Sequence, residues 1–248
     1  MTTTDSDASP TSAMLRRVQL LLAKASDSAA TPEESETYMA KATELMARYG
    51  IEQAMLNADK PEGEREQVTS KQVVIPGPYA LDKRTLIHRI AKVFNVRDIR
   101  LNGLKPMPGS VVVQLFGFPS DLAQVELMFA SLTLQAIRDA MRERVPSWDN
   151  TAAFRRTFLV GFADVVGERL VKTYGKVEQE ATAATPGTAL VLVDRRQQVE
   201  QAFTLAFPKT VQGRRRLSGS GGKAGRAAGQ RADIGGNKVS GGRVALGR

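Results

Sequence analysis

The chain has 248 residues, 42% of them apolar and 25% charged, with a mean hydropathy of -0.24, proportions that suffice for a buried core. Cysteine is absent and His88 is the only histidine, which excludes disulfides, thiolate nucleophiles, iron–sulfur clusters, thiolate zinc sites and any multi-histidine metal site within the chain. The formal net charge is +9, no run approaches the roughly 20 apolar residues of a membrane span, and the polar opening from Met1 to Pro10 lacks the pattern of a secretory signal, so a cytoplasmic location is expected.

Residues 1–12 read as a disordered terminus and 13–58 as a helical hairpin. Leu15, Val18, Leu21, Leu22 and Ala25 recur at three-to-four spacing, which predicts an amphipathic helix over 13–26. Thr31, Pro32 and Glu34 supply an N-cap, a first-turn proline and the acidic arm of a capping box for the next helix. Its stripe is Tyr38, Ala42, Leu45, Met46 and Tyr49, and Gly50 is placed to end it in a left-handed conformation.

A polar linker at 59–67 leads into a mixed unit over 68–207. The run from Val68 to Ile75 predicts a strand closed by Pro76, Gly77 and Pro78, and Leu81 to Phe94 has helical periodicity. Ile99–Leu101 and Val111–Phe116 predict two strands of a hairpin, with Asn102, Gly103, Pro106, Pro108 and Gly109 breaking the chain between them. Pro119 and Asp121 open a long helix whose apolar face is Leu122, Val125, Met128, Phe129, Leu132 and Ala136; Val145 and Pro146 close it. A second long helix starts near Asn150, buries Phe154, Phe158, Phe162, Val165, Val166 and Leu170, and stops at Thr185, Pro186 and Gly187. The spacing of the three phenylalanines is a packing spacing, Gly161 and Gly167 permit close helix approach, and Trp148 is expected to anchor the intervening loop rather than to serve as a stacking platform. Leu190–Val193 reads as a short buried strand, and Val199, Phe203 and Phe207 as a final helix.

The charge is segregated. From Lys209 onward ten bases face the single acid Asp233, which accounts for the whole +9, while the 25 bases and 25 acids of residues 1–208 cancel. Gly, Ala and Ser dominate this 208–248 tail, and Phe207 is the last aromatic residue. Such a segment buries too little apolar surface to offset its ordering entropy, which predicts a flexible cation that orders on a polyanion, with a short helix over Lys223–Gln230. Mobile guanidinium and ammonium groups displace counterions from a phosphate polymer without a preformed pocket. The candidate phosphate contacts are Arg214, Arg215, Arg216, Lys223, Arg226 and Arg231. Without aromatics the tail itself cannot stack bases, so its sequence preference is expected to be slight.

The remaining chemistry is sparse. His88 lies within a predicted helix with no nucleophile or orienting acid identifiable beside it, which favours a structural or surface role. Glu33, Glu34, Glu36 and Glu44 suit a solvated helix face better than a cation site, which needs several oxygens converging at once. Asp121 is expected to favour the helix start and Glu126 to face water. Gly219-Ser-Gly-Gly-Lys-Ala imitates a phosphate loop, but Leu217 and Ala224 stand where a Walker motif needs glycine and serine or threonine.

Leu20 to Ala25, Glu36, and Ala40 to Gly50 together resemble the domain-of-unknown-function family 2786. Gly117–Leu122, Ser131–Ala136 and Phe154–Ala163 are similar to the region that commonly follows that domain, so the resemblance extends over most of residues 14–207. It supports the architecture and implies no catalytic residue. The expectation is therefore a helix-rich α+β body with an N-terminal helical hairpin, a small sheet packed by helices, two long helices and a disordered basic tail. No cofactor or metal is implied. The expected activity is non-enzymatic, weakly sequence-selective association with DNA or RNA, and the alternative is a protein-interaction adaptor acting through the hairpin, with the tail only solubilising. An active site built on carboxylates distant in sequence is a third class, since catalytic groups need not be neighbours along the chain.

Overall fold

A computed structural model describes residues 10–25, 32–211, 213 and 215–232. The chain runs α1 (Pro10–Ala25), α2 (Pro32–Ala58), β1 (Thr69–Ile75), α3 (Ala80–Val93), β2 (Arg97–Leu101), β3 (Val111–Gly117), α4 (Pro119–Arg142), α5 (Thr151–Ala184), α6 (Thr188–Ala206) and α7 (Gly222–Arg231). It is a helix-rich α+β fold.

The helical hairpin forms as its periodicity predicts. Val18 and Leu22 of α1 are buried with Ala42 and Met46 of α2, and the same core continues through Ile87 and Ile90 of α3 to Phe158 and Phe162 of α5. Thr31, the expected N-cap of α2, lies outside the described residues, as do the side chains of Leu15, Ala25, Glu33 and Glu36. Gly50 does not end α2, which continues to Ala58. Its bare Cα instead lets α4 approach: a Cβ there would lie 3.1 Å from Gln124 Nε2. The stretch expected to be a plain linker is ordered by a 3-10 turn at Glu62–Glu64, by Arg65 Nε donating to the Lys60 carbonyl at 2.9 Å, and by Glu66 N donating to Asn57 Oδ1 at 2.7 Å.

The sheet is antiparallel in the order β1–β3–β2. Central β3 is covered on both faces, as its nearly continuous apolar letters require. Val113 and Leu115 join the main core, while Phe116 packs with Phe118, Val199 and Phe203 on the α6 side, meeting Phe203 edge-to-face at a centroid distance of 5.6 Å.

The expected strand at Leu190–Val193 instead lies within the first two turns of α6. Four consecutive apolar letters do not distinguish strand from helix, and here they do not share one environment: Leu192 is buried whereas Leu190 is 77% exposed. Leu192, Arg195, Val199 and Phe203, at helical spacing, form the buried face. The charge among them is held over the Phe118 ring, with the guanidinium carbon 3.6 Å from the centroid, and Arg195 Nη2 donates to Asp121 Oδ2 at 2.9 Å. Burial pushes the Asp121 carboxyl up to about 6, an effect that Arg195 partly offsets. Asp121 thus joins the first turn of α4 to α6 as well as standing at a helix start.

Candidate nucleic-acid interface

The C-terminal segment departs most from expectation. Residues 222–231, expected to stay loose until a polyanion ordered them, form α7 and lie against α5. The attraction comes from close backbone approach rather than apolar bulk. A Cβ built on Gly221 would lie 2.2 Å from the Phe154 carbonyl oxygen, one on Gly225 2.0 Å from that of Phe158, and one on Gly229 2.9 Å from that of Phe162. Glycine at every fourth position thus meets carbonyls at every fourth position. The α5 side contributes Gly161, whose added Cβ would stand 2.5 Å from the Gly222 carbonyl oxygen. Gly167 serves a second approach, to Arg89 of α3, where a Cβ would meet the Arg89 Cβ at 2.9 Å.

Both ends of α7 are tied. Asp149 Oδ2 accepts from Ser220 N and Ser220 Oγ, each at 2.7 Å, and these bonds hold the Asp149 carboxyl below the usual aspartate range. Gly219, with φ +127, makes the turn into this contact. At the other end Arg169 Nη1 donates to the Gly229 carbonyl at 2.7 Å and also to that of Ala232, satisfying acceptors that a helix terminus leaves open.

Helical geometry then sorts the bases. At 100° per residue, the buried Gly225, Ala228, Gly229 and Ala232 lie on one side, and Lys223, Arg226, Gln230 and Arg231 are exposed around the other. Three of the six expected phosphate contacts, Lys223, Arg226 and Arg231, therefore stand on one ordered, outward face. Arg216 is also exposed. Arg215 is committed elsewhere: its Nη1 lies 2.7 Å from Oδ1 of the buried Asp82 at the start of α3. Arg214 lies outside the described residues.

The balanced charge of residues 1–208 conceals a division along the chain. Residues 1–68 hold 12 acids and 7 bases, a net −5, and residues 69–208 hold 18 bases and 13 acids, a net +5. The part of the body to which α7 is attached is thus itself basic, a signal that a single total conceals.

His88 has the orienting acid that sequence alone could not identify. Its Nδ1 lies 2.5 Å from Oδ1 of the buried Asp98 on β2, and Arg84 Nη2 approaches the other carboxylate oxygen at 3.3 Å, so the three groups fasten α3 to an edge strand. Glu44 is spent on Lys41 and Arg48, and Glu126 pairs with Lys71 at 2.7 Å rather than simply facing water. Trp148, expected as a loop anchor, is 76% exposed.

These features define a helix-rich α+β protein whose clearest chemical feature is a basic face on a docked C-terminal helix. Residues 13–53 match the family model described as a protein of unknown function, DUF2786. No curated protein and no solved structure matches the chain.

Proposed function

We propose that this is a non-enzymatic accessory protein that binds DNA or RNA with little sequence selectivity by contacting phosphates through its basic C-terminal segment. The observation that carries this reading is the outward face of α7, where Lys223, Arg226 and Arg231 are all exposed. Docking changes the physical picture from a free polycation to a partly preorganised one. Three charges are held on one surface before the partner arrives, so less ordering entropy opposes binding, and the bases beyond Ala232 add counterion release. Phosphate contacts of this kind position a nucleic acid without reading its sequence.

Neutralisation is a sharper test than deletion, because removing α7 would also uncover the core that Ala228 and Ala232 help to close. A variant carrying Lys223→Gln, Arg226→Gln and Arg231→Gln keeps the glycine ridge intact. Its affinity should fall for DNA and RNA of any sequence to a similar degree. Unchanged affinity would remove α7 from the interface.

A protein-binding role for the helical hairpin is the second reading. It is favoured by a cavity of about 460 Å3 in which Ile51, Met55 and Leu56 of α2 face Ala181 and Thr185 near the end of α5 and Thr188 of α6. Leu56 is 57% exposed there. A partner retained after nuclease treatment and lost on Leu56→Glu would support this reading; one retained by the variant would count against it.

A further inference from the structure

Trp148 is the only tryptophan in the chain, and it stands outward from a link that is otherwise fastened. Val145 packs against the main core. Asp149 N donates to the Pro146 carbonyl at 3.0 Å to close a turn, and the Asp149 side chain holds Ser220. Asn150 Oδ1 caps α5 by accepting from Ala152 N at 2.9 Å and Ala153 N at 3.1 Å. The segment therefore has inward anchors on both sides of Trp148, yet the largest apolar side chain in the link is 76% exposed. Burying an indole is among the largest hydrophobic gains available to a fold, and an isolated exposed apolar residue needs no explanation by itself.

What distinguishes this one is its setting. Arg142 at the end of α4, Arg144 in the link and Arg156 in the first turns of α5 are all exposed. Asp149, next to Trp148, is bonded to Ser220, two residues before α7 begins, and Lys223 lies in the first turn of that helix. Of the acids in the link, Asp149 is spent on Ser220, leaving Glu143 exposed. An exposed π surface thus stands one residue from the bond that ties the approach to the basic helix, with exposed guanidinium groups on the adjoining segments. This is the pairing that holds a single-stranded nucleic acid: cations follow the backbone while an aromatic ring takes a base face. The tail has no aromatic residue after Phe207, so the platform it lacks is supplied by the body.

We infer that Trp148 is a stacking platform for an unpaired nucleobase, and that the preferred partner is a single strand whose phosphates lie on Lys223 and the neighbouring arginines. This rests on the phosphate-binding reading above and narrows it. A duplex keeps its bases stacked on one another, and a side chain held on a fixed turn reaches none of their faces without unstacking them. Duplexes would therefore engage the basic side chains without the indole.

The lone tryptophan makes the site its own reporter. The full-length protein is titrated with a single-stranded oligothymidylate, a duplex of equal length and inorganic polyphosphate, following tryptophan emission together with the anisotropy of labelled strands. Saturable quenching is expected with the single strand and not with the duplex or polyphosphate. Trp148→Ala should weaken single-strand binding by about 5- to 100-fold while leaving duplex binding unchanged, and Trp148→Phe should recover part of the loss. The residue's exposure means that neither change disturbs the core. Equal single-strand affinity in Trp148→Ala, or equal quenching by polyphosphate, would overturn the platform and leave the phosphate reading standing. Absence of binding to any of the three polyanions would overturn both.

Discussion

Gly225→Ala should detach α7. A Cβ at this position would lie 2.0 Å from the Phe158 carbonyl oxygen, 2.7 Å from its carbon and 2.8 Å from the Phe158 Cα. All three atoms belong to the backbone of α5 in its buried middle, so no flexible side chain can swing aside. Ordinary contact begins at about 3.4 Å, and α7 must therefore retreat by more than 1 Å, which forfeits much of the dispersion energy along the ridge. Overpacking of this kind costs about 1–3 kcal/mol, and a backbone contact places it high in that range. Alanine's better helix propensity returns about 1 kcal/mol, leaving a net loss of about 1–2 kcal/mol. A ten-residue helix is too short to persist alone, so a displaced α7 should also unwind. Hydrogen exchange read by mass spectrometry on the full chain should then show protection lost over 222–232 and retained in α3 and α5. Unchanged or increased protection in α7, with no fall in stability, would refute the glycine-to-carbonyl seating.

The same substitution at Gly175 should act in the opposite direction. That residue lies within α5 with nothing within 4 Å of an added Cβ, so Gly175→Ala should raise the urea midpoint by an amount equivalent to about 0.5–1 kcal/mol. Asp121 should give stability an unusual pH dependence. Its folded-state pKa is raised from 3.8 to about 6, so between those values the folded chain binds more protons than the unfolded one. Its contribution is fully present below about pH 3.8 and declines as pH rises through 6, by an amount on the order of 3 kcal/mol. Because Asn resembles the protonated carboxyl, urea midpoints of the wild type and Asp121→Asn should lie close together near pH 3.8 and separate as pH rises through 6, with the wild type falling; parallel curves would contradict the assignment. Trp148→Ala should leave thermal stability within about 0.5 kcal/mol of wild type, because its side chain is largely in water.

Much of the body was legible because apolar periodicity and chain-breaking residues agree. Val18 and Leu22, Ala42 and Met46, and Phe154, Phe158, Phe162, Val166 and Leu170 all lie in the core that their spacing predicts. Asn150 caps α5 as its side-chain chemistry suggests. The departures share a cause, which is that tertiary contact decided what local letters left open. Gly50 has the composition of a helix stop, but a close neighbour at Gln124 uses its missing side chain instead. Leu190–Val193 has strand-like letters, and its helical environment becomes readable only when Arg195 is counted on the buried face. In α7, abundant glycine normally signals disorder, because it raises the entropy cost of ordering and offers little surface to bury. The overlooked signal was spacing: Gly221, Gly225 and Gly229 recur every four residues, opposite Lys223 and Arg226. The exposed Trp148 had no such signal, since nothing in its neighbouring letters states that it faces water.

The most direct test of phosphate binding by a docked basic helix is the salt dependence of affinity. Log affinity for duplex DNA should be measured against log salt concentration for the wild type and for the variant with Lys223→Gln, Arg226→Gln and Arg231→Gln. Three lost phosphate contacts should make the slope shallower by about 2.7, with α7 still protected from exchange. Two parallel lines, with α7 still protected, would show that its outward bases touch no phosphate and would contradict the account.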